Sequence, residues 1–213
     1  MDKKPRFLIT LTAPSCAGKS YLLNYIRAVA KRPRLVSTTT RAPRKGEIEG
    51  VDYFFISEEE SRAIEEQNGF AELVIYRGVR YGVTTAEYHA RLDEGPAFLI
   101  VEPNGIEGYA QPAIDAGAKH LKVFIDVPVS VRMERMKSRI RQDIVEHNRG
   151  GPTALLNAVN PHLDRLTAMV TEEPNWRQLV DWDIVLDGAN TPKANLAIID
   201  AWCQEWIVDC GRP

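Results

Sequence analysis

A short segment near the start of the chain combines residue types that bind the phosphates of a nucleotide. Residues 13–20 read Ala-Pro-Ser-Cys-Ala-Gly-Lys-Ser. Backbone N–H groups at the start of a helix, reinforced by the helix dipole, attract phosphate groups. In such a loop the lysine reaches the β- and γ-phosphates, and the serine hydroxyl is a ligand of the accompanying Mg²⁺. The segment predicts an ATP site made of Ala13, Pro14, Ser15, Cys16, Ala17, Gly18, Lys19, Ser20 and Tyr21, with Ser20 as a metal ligand.

The residues on either side of this segment supply the elements that a phosphate loop needs. An apolar run at 7–12 predicts a buried strand, and residues 21–30 have the pattern of a helix. The loop departs from the usual pattern, because Ala13 stands at its first glycine and Cys16 fills a position where many such loops have glycine. The alternative is a strand–turn–helix joint that binds nothing, and the Gly-Lys-Ser ending favours the phosphate site.

A second segment, residues 34–57, carries two arginines close together. Arg41 and Arg44 lie on either side of Pro43, which favours an extended or turn conformation over a helix. Two guanidinium groups beside several hydroxyls suit a monophosphate, because arginine binds phosphate oxygens through two hydrogen bonds. Taken alone, two arginines in a loop more often belong to a solvated surface. Beside a phosphate loop, they predict a site for a phosphorylated acceptor.

The pattern of apolar runs indicates how these segments are held. Short apolar runs at 7–12, 98–101, 121–127 and 183–186 alternate with helical patterns. Such alternation predicts an α/β fold with a parallel sheet flanked by helices, and ligand sites at the carboxyl ends of the strands.

Composition narrows the class of protein. The chain has 213 residues, a formal net charge of −2 and three cysteines. This length suits one domain, and the charge gives no general case for nucleic-acid or membrane binding. The cysteines share no metal-ligand spacing and are typical of reduced thiols. No apolar run approaches a membrane span or a signal peptide, so we expect a soluble, cytoplasmic protein. Its oligomeric state is not indicated.

The order of several segments resembles the guanylate kinase family. Residues 37–55, STTTRAPRKGEIEGVDYFF, are similar to the acceptor-phosphate segment of that family. Residues 69–72 (GFAE) and 78–82 (GVRYG) are similar to its base-binding segment at the same spacing. The resemblance continues to about residue 140, then includes Arg165 and the strand at 183–187. It implies one P-loop NTPase-type domain with a core (1–33, 98–129 and 167–213), a small acceptor-binding region (34–97) and a lid (130–166).

The resemblance also implies roles for individual residues, with ATP and Mg²⁺ as cofactors. The residues implied to bind the acceptor phosphate are Arg41, Arg44, Tyr53 and Tyr81, and those implied to bind the base are Ser37 and Glu72. The residues implied to take part in catalysis are Lys19, Glu102, Arg135, Arg139 and Arg165. Glu102 is also the acidic group near Mg²⁺, which prefers oxygen ligands. A carboxylate at Glu72 can accept two parallel hydrogen bonds from the ring N–H and amino group of guanine. Adenine lacks that ring donor, so the carboxylate would be left unsatisfied.

Some positions depart from the family pattern. Val83, assigned to the acceptor site, stands where a hydroxyl usually helps to read the base, and Ile100 replaces an aspartate on the base side. Asp187 stands where an asparagine is common near the donor adenine, and the lid segment 140–164 is longer than expected. The longer lid could cover a bulkier acceptor or be a tolerated surface insertion. Divergence of this kind would fit a viral member of the family.

The leading hypothesis is a kinase that converts GMP or dGMP to the diphosphate with ATP. One alternative keeps the fold and changes the acceptor to another or modified deoxynucleotide, or to a nucleotide or base hydroxyl in DNA. An alternative of another class is a catalytically inactive binding module on the same fold. Lys19, Ser20 and the lid arginines argue against the last, because such a module does not need them.

Overall fold

Strands and helices alternate along the chain. The computed structural model describes residues 5–44, 46–76, 78–147 and 150–210. In chain order the elements are β1 (Arg6–Thr12), α1 (Lys19–Ala28), β2 (Thr38–Thr39), β3 (Phe54–Phe55), α2 (Glu58–Glu66), β4 (Phe70–Tyr76), β5 (Val79–Thr84), α3 (Thr85–Glu94), β6 (Ala97–Ile100), α4 (Ala110–Asp115), β7 (Ala118–Asp126), α5 (Val129–His147), α6 (Gly151–Thr171), β8 (Ile184–Asp187) and α7 (Pro192–Cys210). Short 3-10 turns lie at Pro103–Gly105, Glu107–Tyr109 and Glu173–Gln178.

The central sheet is parallel and has the order β6-β1-β7-β8. The register pairs Leu11 of β1 with Ile100 of β6 and with Val123 of β7. Six of the seven residues of β1 are buried, as expected for a parallel strand that is covered on both faces. The predicted parallel sheet is therefore confirmed, and each predicted apolar run overlaps one of its strands.

Helices cover the two faces of this sheet. Phe7, Ile9 and Leu11 point from β1 into one core cluster, while Leu8 belongs to a second cluster. The first cluster contains buried residues of α1 and α7, and the second contains buried residues of α3 and α4. Trp206 of α7 packs edge-on against Phe7 with 5.4 Å between ring centroids. Trp202 is also partly buried against this cluster.

A second, smaller sheet has the order β3-β2-β5-β4 and lies between α1 and β6 in the sequence. β2 pairs in parallel with β3 and antiparallel with β5, and β4 is antiparallel to β5. Next to it, α2 begins with a capping box, in which the Ser57 side chain accepts from the Glu60 N–H and the Glu60 side chain accepts from the Ser57 N–H. Its first turn contains Glu58, Glu59 and Glu60, and acidic residues favour a helix N-terminus.

Two long helices, α5 and α6, fill residues 129–147 and 151–171. Gly150, Gly151 and Pro152 stand where α6 begins. Most of the long segment 140–164 is therefore helical, with residues 148 and 149 outside the described part. Within the described ranges, no helix combines the length and apolar character needed to cross a membrane.

Candidate active site

A cavity of about 1060 Å³ opens where the strands of the central sheet end. Its wall contains the whole phosphate-loop segment 13–20 together with Tyr21. Other parts of its wall are Arg44, Glu102, Arg135, Arg139, Arg165, Glu173, Trp176, Gly188, Ala189, Asn190 and Asn195. Ligands of parallel α/β folds bind at this end of the sheet, and the volume is enough for a nucleoside triphosphate.

The phosphate loop joins β1 to α1 as predicted. β1 ends at Thr12, α1 begins at Lys19, and the Ala17 N–H donates to the Pro14 carbonyl at 3.2 Å. Gly18, with φ 100°, has the left-handed backbone that glycine adopts without strain. Burial lowers the pKa of Lys19, while the nearby carboxylates of Glu102 and Glu173 act to raise it. The lysine thus lies inside the cavity with carboxylates close enough to stabilise its charge.

A buried ion pair between Arg132 and Glu173 contacts the phosphate loop. The Ser15 N–H donates to Oε1 of Glu173 at 2.8 Å, and Nη1 of Arg132 donates to Oε2 of the same carboxylate at 2.6 Å. The side chains of Arg132 and Glu173 are only 3% and 2% exposed. Neither residue was predicted from the sequence, because each lies outside the motifs. Their contact connects α5, the turn after α6 and the phosphate loop.

The three predicted lid arginines line the same cavity as Lys19. Nη1 of Arg135 donates to the Cys16 carbonyl at 3.1 Å, and its Nη2 donates to the Gly188 carbonyl at 3.3 Å. Burial and the neighbouring Arg139 lower the pKa of Arg165. Arg44 lines this cavity as well. The structure therefore gathers cationic groups from four parts of the chain, an arrangement suited to the negative charge of a polyphosphate.

Ser20 and Glu102 offer oxygen ligands in this cavity. Both side chains are exposed, and both lie in its wall beside Lys19. A hydroxyl and a carboxylate are the hard donors that Mg²⁺ prefers, and this ion usually takes few protein ligands together with phosphate oxygens. Across the described ranges, His, Cys, Asp and Glu side chains form no group of three or more suited to a metal. The two residues fit a metal ion that arrives with the nucleotide.

The wall beyond β8 is built by a hydrogen-bonded turn. The Asp187 carboxylate accepts from the Ala189 N–H at 2.8 Å, so it serves the turn itself. Asn195 is buried, and its Nδ2 donates to the Asp187 carbonyl at 3.2 Å. Asn190 donates to Oδ1 of Asn195 at 3.2 Å. Asp187 stood out in the sequence as a departure from the family pattern, whereas neither asparagine lies in a motif that would have predicted it.

The predicted acceptor-phosphate residues cluster on the second sheet. The rings of Tyr53 and Tyr81 have centroids 6.2 Å apart, and the Arg41 guanidinium carbon lies 5.5 Å from the Tyr53 centroid. Nη2 of Arg41 also donates to both carboxylate oxygens of Glu47, at 2.9 and 3.0 Å. Burial raises the pKa of Tyr53, so its hydroxyl remains a proton donor at neutral pH. Arg44 is instead exposed at the large cavity, between this cluster and the phosphate loop.

The residues predicted to bind the base, Ser37 and Glu72, lie on the two strands that flank β5 or next to them. Glu72 pairs with Val83, and Thr38 pairs with Gly82, so the antiparallel register brings Ser37 level with Val83. A bulge between Phe70 and Glu72 interrupts β4 at this point, and bulges redirect side chains. Burial raises the pKa of Glu72, while a hydrogen bond from Tyr109 opposes the rise.

Val83 differs from its predicted role in the acceptor site. Its side chain is fully buried in the core cluster that also contains Tyr88 and Tyr109. A valine packed in this way has no surface to offer a ligand, so the structure places it beside Glu72 as a core residue. Strand alternation left both orientations open, since it does not say which face of a small sheet is covered.

A parallel α/β sheet, a phosphate loop at the end of β1 and a facing set of arginines together define the class of P-loop nucleotide kinases. The family model described as Guanylate kinase matches residues 5–160. The chain belongs to the guanylate kinase family, which confirms the predicted family.

Curated relatives agree with this membership. A guanylate kinase of Chlamydia muridarum is 32% identical over 130 residues, covering 60% of this chain and 62% of its own length. This chain thus spans less than two thirds of that relative. A guanylate kinase of Prochlorococcus marinus (strain MIT 9312) is 31% identical over 157 residues, covering 73% of this chain and 82% of its own.

A solved structure supports the fold. The crystal structure of guanylate kinase from Anaplasma phagocytophilum matches with a TM-score of 0.56 at 20% identity, covering 96% of this chain and 88% of that one.

Proposed function

We propose that the protein transfers the γ-phosphoryl group of ATP to GMP or dGMP. An oxygen of the acceptor phosphate attacks the γ-phosphorus, the bond to the β–γ bridging oxygen breaks, and ADP and the nucleoside diphosphate leave. The acceptor phosphate is largely ionised at neutral pH and needs no general base. One observation carries the proposal: Lys19, Glu102 and the lid arginines share a single cavity, which Arg44 connects to the acceptor cluster.

The donor side binds ATP through the loop at residues 13–20. Backbone N–H groups and Lys19 hold the phosphates, and Arg139 and Arg165 stabilise the charge that spreads over the transferring group. Ser20 and Glu102 hold Mg²⁺, which neutralises phosphate charge when it is bound. Arg135 keeps the loop and the turn after β8 together through their carbonyls.

The acceptor side holds the monophosphate with Arg41, Arg44, Tyr53 and Tyr81. Arg41 is bound to Glu47 in this structure, so phosphate binding would exchange one anionic partner for another. Ser37 and Glu72 read the base. We assign residues 34–97 to the acceptor-binding region and residues 130–166 to the lid. The core then consists of residues 1–33, 98–129 and 167–213. The substrates suit a cytoplasmic enzyme with small-molecule partners.

The test is an ATP-coupled transfer assay over a panel of acceptors. The panel contains GMP, dGMP, AMP, CMP, UMP, dTMP, a 5-substituted dUMP and duplex DNA carrying modified bases. We expect a clear preference for GMP or dGMP. Transfer to another acceptor, with none to guanine nucleotides, would mean that the phosphate machinery serves a different substrate.

Lys19→Ala checks that the measured activity belongs to this site. The variant should lower kcat/KM at least about 100-fold, because one phosphate donor is removed from the transition state. Lys137→Ala is the matched control, since Lys137 is an exposed lid lysine paired with Glu134. Weak activity that is equal in the wild type and Lys19→Ala would support a binding module in place of an enzyme.

A further inference from the structure

Tyr109, to which the sequence assigned no role, contacts the predicted base-binding residue Glu72. The Tyr109 hydroxyl donates to Oε2 of Glu72 at 2.9 Å, across 37 positions of sequence. Tyr109 ends the 3-10 turn Glu107–Tyr109 and is only 4% exposed. In the same turn, a Cβ added to Gly108 would lie 3.0 Å from Cγ of Glu72. The turn therefore contacts the Glu72 side chain through two residues, Gly108 at Cγ and Tyr109 at Oε2.

The hydrogen bond from Tyr109 restricts the terminal side-chain torsion of Glu72. The terminal torsion of glutamate has a broad, nearly two-fold distribution, so an unrestrained carboxylate samples many orientations. A hydrogen bond to one oxygen fixes the plane of the carboxylate. It also uses only one of about four acceptor positions, which leaves Oε1 and a second position on Oε2 free. Those positions suit the parallel ring N–H and amino donors of guanine.

Two further positions of the predicted base pocket, Val83 and Ile100, carry no polar side chain. Ile100 stands where the resemblance implied an aspartate, and its partly buried side chain packs against the first core cluster. Val83 is fully buried. Recognition of the base therefore depends more heavily on how Glu72 is oriented.

We propose that Tyr109 is a positioning residue for base recognition, holding Glu72 so that both donors of guanine meet the carboxylate. This inference rests on the proposed function, and Tyr109 acts through Glu72 without touching the acceptor. Gly108 is exposed and Tyr109 is buried, so the two contacts with Glu72 can be varied separately.

Tyr109→Phe removes the hydroxyl and keeps the ring. We expect the KM for GMP to rise about tenfold with kcat within about twofold, as for a lost hydrogen bond to a charged group. IMP keeps the ring N–H of guanine but lacks the 2-amino group. The preference for GMP over IMP should therefore fall by a similar factor, an effect that a general loss of packing would not produce.

Tyr88→Phe is the matched control. Tyr88 is buried in the same core cluster, and its hydroxyl has no hydrogen-bond partner among the residues that the structure describes. Removing it should leave the KM for GMP and the GMP/IMP preference unchanged. If Tyr109→Phe behaves like wild type, or if both substitutions alter the GMP/IMP preference equally, the inference is wrong.

Gly108→Ala tests the same contact if Tyr109→Phe fails to fold. Gly108 is exposed, and the added methyl group would press on Glu72 while Tyr109 stays in place. We expect a raised KM for GMP and a reduced GMP/IMP preference, and an unchanged preference would contradict the inference. The acceptor panel measured with the wild type separates this inference from the proposed function. If the wild type has no activity on guanine nucleotides, both are overturned. If the wild type is active and the variants keep its KM for GMP and its GMP/IMP preference, only the role of Tyr109 is overturned.

Discussion

At the residue scale, the phosphate loop contains one strained position. Cys16 has φ 61°, in the left-handed region that non-glycine residues rarely occupy. Many such loops have glycine here, which adopts this conformation freely. The strain remains because the surrounding contacts hold the loop, including the bond from Arg135 to the Cys16 carbonyl.

Because of this strain, we expect two substitutions at Cys16 to differ in their effect on the free energy of unfolding. Cys16→Gly relieves about 1–2 kcal/mol of strain but adds about 0.5–1 kcal/mol of unfolded-state entropy, so its free energy of unfolding should equal or slightly exceed that of wild type. Cys16→Val should be less stable than Cys16→Gly by about 2 kcal/mol, because a β-branched residue tolerates this region poorly. Urea unfolding measures both. Equal stability of the two variants would show that the loop relaxes away from the left-handed conformation.

At the element scale, the Arg132–Glu173 pair joins α5 and the turn after α6 to the phosphate loop. Both side chains are almost completely buried, and the carboxylate also accepts the Ser15 N–H. Burying two charges is costly, and the pair is stable only because each charge is compensated. The loop that holds ATP in our proposal is thereby coupled to the base of the lid.

Breaking this pair should be strongly destabilising. Glu173→Gln keeps an acceptor for Ser15 but leaves the Arg132 charge buried without its anion, so we expect a loss of about 3–5 kcal/mol in the free energy of unfolding. Glu134→Gln is the control at an exposed pair on the same helix as Arg132, and no measurable change is expected. The double variant Arg132→Met/Glu173→Gln should lose less than the sum of the single variants. Additive losses would rule out the coupling.

At the scale of the whole molecule, a histidine in the central sheet links overall stability to pH. His120 lies on β7, and its Nε2 is 2.9 Å from the Thr10 hydroxyl of β1. Burial, together with the nearby charges of Lys122 and Lys119, lowers the pKa of His120 to about 4, while Asp183 opposes the shift. The folded protein therefore keeps this side chain neutral at pH values where an unfolded chain would bind a proton.

The sign of the pH effect follows from this difference. Between about pH 6.5 and 4 the unfolded chain binds more protons at His120, so the free energy of unfolding falls as the pH falls. The contribution of neutral His120 to the free energy of unfolding is fully present above about pH 6.5. At most about 2 kcal/mol of this contribution is lost when the pH falls from about 7.5 to about 5. Chemical unfolding of the wild type and His120→Gln at both pH values isolates this contribution. If the two proteins lose stability in parallel, His120 is not responsible.

Features that depend on neighbouring residues could be predicted from the sequence. The Gly-Lys-Ser ending between a buried run and a helical run predicted the phosphate loop, and the apolar runs predicted the four strands of the central sheet. These signals work because backbone preference, strand burial and helix termination are each set within a few residues.

Contacts that join distant segments could not be predicted from the sequence. Tyr109 meets Glu72 across 37 positions, Arg132 meets Glu173 across 41, and Glu173 meets Ser15 across 158. Likewise, the family resemblance assigned Val83 to the acceptor site, whereas packing buries its side chain in the core. The physical reason is that side chains remote in sequence pair only after helices and sheets have packed, so neither spacing nor residue type shows the contact.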